Sequence, residues 1–395
     1  MDLPLLAAAV LAGTTLISSL LVPVSQVLAV RWGAVDNPGD RRIHTAPMPR
    51  LGGIAVFATF TGTVLLGYFL LPVFEGFPWM RAHFADSLAI LGEAGRVEGK
   101  LIALFAGASL AFAVGLADDL VGPRFSPALK AGGQLVAAAV LIAADVRTSF
   151  LPYEWMNVVV TGVWLVGMTN AFNLLDNMDG LSAGVALVAS TVFLVNSWSR
   201  GEFFISLLLL AFMGSLLGFL RFNFNPASVF LGDCGSLFIG YVMGSLTLLE
   251  RYVSHASSTL APVLMPVLVL AIPIVDTATV VFIRVRERRP IYVGDSRHLS
   301  HRLLSLGFTQ RATALFMYLA TFCLGLGAAA LADATVGQSL LILLQSAGFV
   351  ALMLILMFFE RRRQPRRAAA HAGAVAPAPL APPASGEEVG LGGRR

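Results

Sequence analysis

Four polar side chains that could hold a cation stand at equal spacing near the middle of the chain. Asn170, Asn173, Asp176 and Asp179 are each three residues apart in the stretch 170–184, which reads NAFNLLDNMDGLSAG. This spacing places side chains on one face of a helix, and amide and carboxylate oxygens are the ligands that hard cations prefer. Apolar runs flank the stretch on both sides, so these polar groups lie where hydrophobic segments meet.

A second acidic group, Asp118 and Asp119, ends another apolar run. Adjacent like charges are costly without a counter-ion, so a divalent cation or a basic substrate group is one interpretation and a solvated helix end is the other. Lys130, one of two lysines in the chain, follows shortly afterwards. Its ammonium could meet a phosphate, or it could reach the membrane interface as a lone lysine commonly does.

A third acid, Asp233, stands between two glycines in Phe230-Leu-Gly-Asp-Cys-Gly-Ser, just before an apolar segment. A turn that enters a helix offers backbone N–H groups to an anion, and the carboxylate could hold a hard cation. An ordinary N-cap is the alternative. Asp276 lies inside a later apolar segment, and an acid within a membrane span is a functional-site hypothesis by default.

Two basic loops complete the set of candidate groups. The loop 31–53 holds several arginines and three prolines, and it ends in Gly52-Gly53, which lets backbones pack closely. The loop 284–311 contains seven arginines together with His298 and His301. Both loops fit either the retention of positive charge on one side of a membrane or the binding of an anionic substrate.

The composition predicts an integral membrane protein. The chain is 57% hydrophobic and 13% charged, with a mean hydropathy of +0.79, whereas about 25% of residues are charged in soluble domains. We predict an all-α polytopic fold with about eleven transmembrane helices, ten being the alternative. The segments are Leu5–Val30, Gly52–Leu71, Leu101–Leu116, Leu129–Ala144, Val158–Phe172, Leu181–Trp198, Phe203–Leu220, Leu237–Leu249, Ser258–Ile283, Ala312–Leu331 and Gly337–Phe359.

The distribution of basic residues predicts the orientation. With alternating loops assigned to opposite sides, 21 of the 27 Lys and Arg residues fall on one side, which is therefore cytoplasmic, with the N-terminus outside. The net charge of +4 reflects this bias and requires no nucleic acid. We expect a transmembrane catalytic domain over 1–363 and a disordered Ala-, Pro- and Gly-rich cytoplasmic tail over 364–395.

All the polar clusters fall on the predicted cytoplasmic side, which indicates an enzyme at that membrane surface. A transporter with acidic residues on its cytoplasmic side is the alternative, but transporters place their sites near the midplane and show internal repeats. Carboxylates with glycine turns indicate Mg²⁺ or Mn²⁺, and Arg, His and Lys indicate phosphate. Phosphoryl transfer is the reaction class that combines these groups.

The order of these motifs resembles the polyprenyl-phosphate N-acetylhexosamine-1-phosphate transferase family. The likeness covers about 36–311 and consists of Asp118-Asp119, Asn-x-x-Asn-x-x-Asp-x-x-Asp-Gly, Phe-x-Gly-Asp-x-Gly-Ser, Pro-Ile-x-Asp276 and His298-x-x-His301. Each motif is weak alone, but five in order form a specific match. The form of the central motif is closer to the branch that initiates surface-polysaccharide or teichoic-acid synthesis than to the muramyl-pentapeptide branch.

The resemblance implies a multi-pass enzyme of the inner, or plasma, membrane. It would transfer a sugar 1-phosphate, GlcNAc-1-phosphate first among the candidates, from a UDP-N-acetylhexosamine to polyprenyl phosphate and release UMP. It also implies site residues. Asn173 and Asp233 would bind Mg²⁺ or Mn²⁺ with Asp176 close by, and Asp118 and Asp119 would lie at the lipid phosphate, where either could assist the nucleophile or order the metal. Phe230 would stack on uracil and Asp179 would lie by the nucleoside. Lys130 would lie near phosphate, and the diphosphate or the sugar would be contacted by His298, His301 and Arg302.

Two points limit this match. Ser300 stands where many members have a histidine in a His-x-His-His motif. Asp176-x-x-Asp179-Gly also partly matches the CDP-alcohol phosphotransferase signature, but Gly184 occupies the position of its arginine, which makes that second enzyme class a weak alternative. The sequence leaves the oligomeric state open, a homodimer included.

Overall fold

The computed structural model describes residues 2–36, 47–252, 260–290 and 297–359. Of these, the residues up to 351 form one compact unit. The predicted disordered tail, 364–395, lies outside the described residues, as do Arg41 and Arg42 of the first basic loop.

Helices account for most of the described residues, as the continuous apolar runs predict. They are α1 (Asp2–Arg31), α2 (Gly53–Gly76), α3 (Pro78–His83), α4 (Ala85–Arg96), α5 (Glu98–Val121), α6 (Pro127–Ala143), α7 (Glu154–Leu175), α8 (Leu181–Ser199), α9 (Phe203–Asn223), α10 (Gly232–Leu249), α11 (Met265–Val269), α12 (Ala271–Arg286), α13 (Leu299–Ser305), α14 (Gln310–Ala330) and α15 (Val336–Phe359).

Short elements lie between some of the long helices. Single 3₁₀ turns cover Gly122–Arg124, Ala261–Leu264 and Leu331–Asp333. In the described residues the only sheet is a pair of two-residue strands, β1 (Val35–Asp36) and β2 (Met48–Pro49), which are antiparallel. This pair closes the base of the first basic loop.

Each predicted apolar segment corresponds to a helix or to a helix pair. Nine described helices are long and apolar enough to cross a membrane, and α6 is a shorter apolar helix. A tenth span is formed if α12 and the preceding segment, Ala261–Val269, are counted together. The prediction of an all-α polytopic membrane protein is therefore confirmed.

The predicted ninth span is not continuous. Ala261–Val269 and α12 meet at an angle of 71°, whereas the sequence predicted one helix over Ser258–Ile283. Pro273 lies in the first turn of α12, where its missing N–H leaves no hydrogen bond unmade. Asp276, which the sequence places inside a continuous span, therefore lies in the second turn of a separate helix.

Helix α10 lies at the centre of the unit, because most of its residues are buried, whereas most residues of α1 are at least partly exposed. It packs against α5, α7 and α2, and glycines bring two of these backbones close. A Cβ atom on Gly115 would lie 2.2 Å from the carbonyl oxygen of Asp233, and one on Gly53 would lie 2.2 Å from the nitrogen of Gly235. The close packing predicted for Gly52-Gly53 is confirmed, and the contact at Gly115 brings the acidic end of α5 to the acidic start of α10.

Candidate active site

The stretch 170–184 is a helix end, a turn and a helix start. Helix α7 ends at Leu175, Asp176 is its C-cap residue, and α8 begins after Gly180, whose φ of 72° is in the left-handed region. The prediction that four polar side chains share one helical face is therefore wrong beyond Asn173. The chain turns at Asp176, which directs the later residues of the stretch towards other partners.

Lys130 of α6 lies where three predicted site residues meet. Its ammonium nitrogen is 2.8 Å from Asp118 Oδ2, 2.5 Å from Asp233 Oδ2 and 3.2 Å from Asn173 Oδ1. The three oxygens come from α5, α10 and α7, so residues distant in sequence converge on one point. Between 19% and 26% of the side-chain surface is exposed in Lys130, Asp118 and Asp233. The cluster is therefore accessible to a substrate.

Asn173 holds the carboxylate of Asp233 in place. Its Nδ2 donates to Asp233 Oδ1 at 2.9 Å and to Ser236 Oγ at 2.9 Å, while its Oδ1 accepts from Lys130. Asn173 and Asp233, the two residues predicted to bind a metal, are therefore in direct contact with each other. Ser236, one turn into α10, was not predicted as part of the site.

Asp119 differs from its neighbour in its contacts. Its Oδ1 accepts from the backbone N–H of Asp233 at 3.0 Å, and its Oδ2 accepts from that of Cys234 at 2.9 Å. Arg50 lies 3.3 Å from Oδ1, and the Asp119 side chain is fully buried. Asp119 therefore caps the N-terminus of α10 from outside the helix, whereas Asp118 faces Lys130.

Asn170 and Asp176 lie at the edges of this cluster. Asn170 exchanges hydrogen bonds with Gln134 of α6, at 2.6 and 3.3 Å, and so joins two helices. Asp176, in the turn outside the spans, is half-buried, and burial together with the nearby charges of Asp233 and Asp119 raises its pKa well above the ordinary value. Asp176 thus retains a proton more readily than an exposed aspartate.

Asp179 faces the loop that leads to Phe230. Its Oδ2 accepts from Asn225 Nδ2 at 2.9 Å and from the backbone N–H of Ala227 at 3.1 Å. Asn225 in turn donates to Gln310 of α14 at 2.6 Å. Asp179 therefore positions the loop that precedes Phe230. The Phe230 side chain is partly exposed.

The loop that carries His298 and His301, called the histidine loop below, is joined to the turn between α7 and α8. Ser300, in place of the histidine that many family members carry, donates to Asn177 Oδ1 at 2.6 Å. His298 lies 2.7 Å from Asp276 of α12, and the rings of His298 and His301 are 6.3 Å apart between centroids. Arg302 is 8% exposed, and its Nε donates to the backbone oxygen of Arg297 at 3.0 Å. Asp295, from the same loop, lies outside the described residues.

Two carboxylates and one amide form the donor set that fits a divalent cation best. Within the described part of the chain no three His, Cys, Asp or Glu side chains come together as a metal site. Asp118, Asp233 and Asn173 nevertheless direct one oxygen each at a single positive group, Lys130. Three oxygens around one cation are the chemistry that Mg²⁺ and Mn²⁺ prefer, so these residues fit the predicted metal.

Sequence reasoning missed residues whose roles depend on tertiary contacts. Arg50 was counted only as one arginine of a basic loop, although it lies against Asp119. Tyr318 of α14 donates to the backbone oxygen of Gly180 at 2.5 Å, and no sequence pattern indicated it. Asp276 could be found because an acid inside an apolar run is conspicuous, but its partner could not.

Comparisons with known proteins show which family the chain resembles. Residues 101–250 match the model of the family described as glycosyl transferase family 4. The chain is 32% identical over 334 residues to a probable undecaprenyl-phosphate N-acetylglucosaminyl 1-phosphate transferase of Bacillus subtilis, covering 82% of this chain and 84% of that protein. It is 30% identical over 345 residues to a decaprenyl-phosphate N-acetylglucosaminephosphotransferase of Mycolicibacterium smegmatis, covering 80% of each.

The muramoyl branch matches a smaller part. A phospho-N-acetylmuramoyl-pentapeptide-transferase of Geobacillus kaustophilus is 35% identical, but over only 131 residues and 30% of this chain. We predicted that the chain is closer to the branch that initiates surface-polysaccharide or teichoic-acid synthesis than to the muramyl-pentapeptide branch. This is confirmed, because the N-acetylglucosaminyl transferases match at least 80% of the chain and the muramoyl enzyme matches 30%.

Proposed function

The chain belongs to glycosyl transferase family 4, and we propose that it transfers N-acetylglucosamine 1-phosphate from a UDP-sugar to polyprenyl phosphate and releases UMP. The observation that carries this proposal is the convergence of Asp118, Asn173 and Asp233 on the ammonium of Lys130. Relatives that span most of the chain are named as transferases of this kind. The transporter and CDP-alcohol interpretations have no such support.

The reaction joins two anions, so the site must neutralise charge and align the reacting groups. A lipid phosphate is already largely dianionic near neutral pH, since its second pKa is about 6, and a strong general base is not required. Asp118 is the better placed of the two adjacent acids to meet the lipid phosphate, because both oxygens of Asp119 accept from backbone N–H groups.

We assign Mg²⁺, or Mn²⁺, to Asp233, Asn173 and Asp118. When bound, such an ion would stabilise the charge that develops on the diphosphate and on the leaving UMP. The chain's own residues supply the remaining groups that can meet the phosphates: the cation of Lys130 at this cluster, and the cation of Arg302 with the imidazoles of His298 and His301 in the loop that Ser300 attaches to Asn177.

In this proposal the nucleoside of the UDP-sugar lies beside Phe230. Phe230 offers an aromatic face for uracil, and Asp179 holds the loop that presents Phe230 through Asn225 and Ala227. Asp179 thus acts through the loop first, and any contact between its other oxygen and the nucleoside would be additional.

The surroundings follow from the same proposal. A polyprenyl phosphate substrate lies in a membrane, and the chain has nine or ten helices that could cross one among its described residues. We place the protein in the inner membrane with the site on the cytoplasmic face. The product would initiate a cell-envelope polysaccharide. The oligomeric state, which the sequence leaves open with a homodimer included, can be measured by light scattering of the purified protein in detergent.

The test is release of UMP by the purified protein with UDP-N-acetylglucosamine, polyprenyl phosphate and Mg²⁺. Asp233→Asn keeps the shape of the side chain but removes the charge that lies beside Lys130, so we expect UMP release to fall by at least about a hundredfold. Asp86→Asn, at an exposed position of α4, is the matched control and should leave the rate unchanged. Full activity of Asp233→Asn would overturn the proposed site, and absence of UMP release by the unaltered protein with every UDP-sugar would overturn the function.

A further inference from the structure

We propose that Asp276 is a positioning residue for the transfer reaction, which acts by holding the imidazole of His298 in one orientation and one tautomer. This inference rests on the proposed function for its effect on rate, but not for the geometry. Asp276 lies outside the region 101–250 that matches the family model, and it comes from the broken span.

Both oxygens of the Asp276 carboxylate are used at the start of α13. Oδ2 lies 2.7 Å from Nδ1 of His298, and Oδ1 accepts from the backbone N–H of Leu299 at 2.7 Å. His298 is the N-cap residue of α13 and Leu299 is its first residue. One carboxylate therefore fixes the ring and the helix that follows it.

Asp276 and His298 are both buried, so each needs the other as a hydrogen-bond partner. The Asp276 side chain is 1% exposed and that of His298 is 3% exposed. A buried carboxylate without partners costs several kcal/mol, so the two donors are what make Asp276 tolerable inside an apolar half-helix. Because the span is broken before α12, Asp276 lies in the second turn of a separate helix, which these two contacts join to the start of α13.

The contact also decides which ring nitrogen is left for the substrate. A carboxylate accepts hydrogen bonds, so Nδ1 of His298 carries a proton and Nε2 is left for another partner. A hydrogen-bonded partner of this kind orients an imidazole and sets its tautomer. The second attachment of α13, from Ser300 to Asn177, joins the oriented histidine to the turn beside Asp176.

Asp276→Asn is the most informative variant, because an amide has only one accepting oxygen. If that oxygen stays on the N–H of Leu299, the NH₂ group faces Nδ1 of His298, and the ring must carry its proton on Nε2 instead. We expect kcat/KM to fall by roughly tenfold or more, with the loss mainly in kcat.

A double-mutant cycle tests whether Asp276 acts through His298. We compare Asp276→Asn, His298→Gln and the double variant by UMP release. If Asp276 only positions the histidine, the double variant should be no slower than His298→Gln alone. Losses that multiply would overturn the proposal. Thr277→Val, an isosteric change at the next residue of α12, is the matched control and should leave kcat and KM unchanged.

The tautomer provides a readout independent of catalysis. Nitrogen NMR of ¹⁵N-histidine-labelled protein at alkaline pH, with His298→Gln used to assign the signals, reports which nitrogen of His298 is protonated. We expect Nδ1 in the unaltered protein and Nε2 in Asp276→Asn. Protonation at Nε2 in the unaltered protein would overturn the proposal, even if the Asp276 variant did not fold. If the unaltered protein released no UMP but showed the Nδ1 tautomer, the proposed function would fail while the geometry of the pair stood.

Discussion

The ammonium nitrogen of Lys130 lies 2.5 Å from Oδ2 of Asp233, across 103 residues of chain. This contact joins α6 to the start of α10, and the same nitrogen contacts Asp118 of α5. One cation therefore holds together three helices that converge at the proposed site, and its removal should affect both charge balance and substrate binding.

Lys130→Met removes the charge while keeping most of the length of the side chain. We expect UMP release to fall by about a hundredfold or more, because Asp118 and Asp233 would then repel each other and an incoming phosphate. We also expect the melting temperature to drop in EDTA and to recover with added Mg²⁺, which would replace the lost positive charge.

The only other lysine of the chain offers the matched control for this experiment. Lys100 is exposed at the opposite end of α5, so Lys100→Met should leave both the rate and the melting temperature in place. Equal losses in the two variants would contradict a special role for Lys130.

Asp118→Asn and Asp119→Asn should separate catalysis from stability. Asp119 accepts two backbone hydrogen bonds in a buried position, and an amide can accept only one of them well. We expect Asp119→Asn to lower the free energy of unfolding by about 1–3 kcal/mol. Asp118→Asn should lower the rate of UMP release with a smaller change in stability.

Thermal unfolding and UMP release, measured side by side on the two variants, check this division. The reverse pattern, with Asp118→Asn the less stable protein and Asp119→Asn stable but inactive, would contradict the assignment of the cap to Asp119.

Glu250 predicts a pH dependence of stability away from the proposed site. Burial raises its pKa from 4.5 to about 8, the charge of Glu202 adds to this, and the hydrogen bond from Asn196 opposes it. Because the pKa is higher in the folded than in the unfolded protein, this group's contribution to stability is complete below about pH 4.5 and declines as the pH rises towards 8.

Glu250→Gln should remove that decline. We expect the melting temperature of the variant, relative to that of the unaltered protein, to rise between pH 5 and about 8. Glu75→Gln, at an exposed position, should follow the unaltered protein throughout. Parallel curves for Glu250→Gln and the unaltered protein would show that Glu250 does not titrate in this range.

Replacement of Ser300 should affect the position of the histidine loop. Ser300 is 1% exposed and donates to Asn177 Oδ1 at 2.6 Å. Ser300→Ala should cost about 1 kcal/mol of stability and raise KM for the UDP-sugar, since α13 would be attached less firmly to the turn. Ser300→His should cost more, because a buried site does not accept the added volume easily.

The measurement is KM and kcat for both variants together with their melting temperatures. Ser305→Ala, whose hydroxyl donates within α13 to the carbonyl of Arg302, is a control for loss of a local hydroxyl. An unchanged KM in Ser300→Ala would show that the contact with Asn177 does not position the loop.

Much of the architecture could be predicted from the sequence. Apolar runs of membrane-spanning length determine where the helices lie, because a backbone in lipid must satisfy its hydrogen bonds within a helix. The acids and basic loops stand out against that background, so Asp118, Asn173 and Asp233 could be singled out before any contact was known. Gly52-Gly53 likewise indicated a close approach that the structure confirms.

The pairing of those residues was decided by the tertiary structure. Asp118 and Asp119 are equivalent in sequence, but the start of α10 lies against Asp119, and Lys130 lies against Asp118. The break before α12 and the contact between Asp276 and His298 depend on how α12 packs against other elements. The hydrophobic pattern of the sequence does not predict that packing. Sequence therefore determined which groups are costly to bury, whereas only packing decided which partner stabilises each of them.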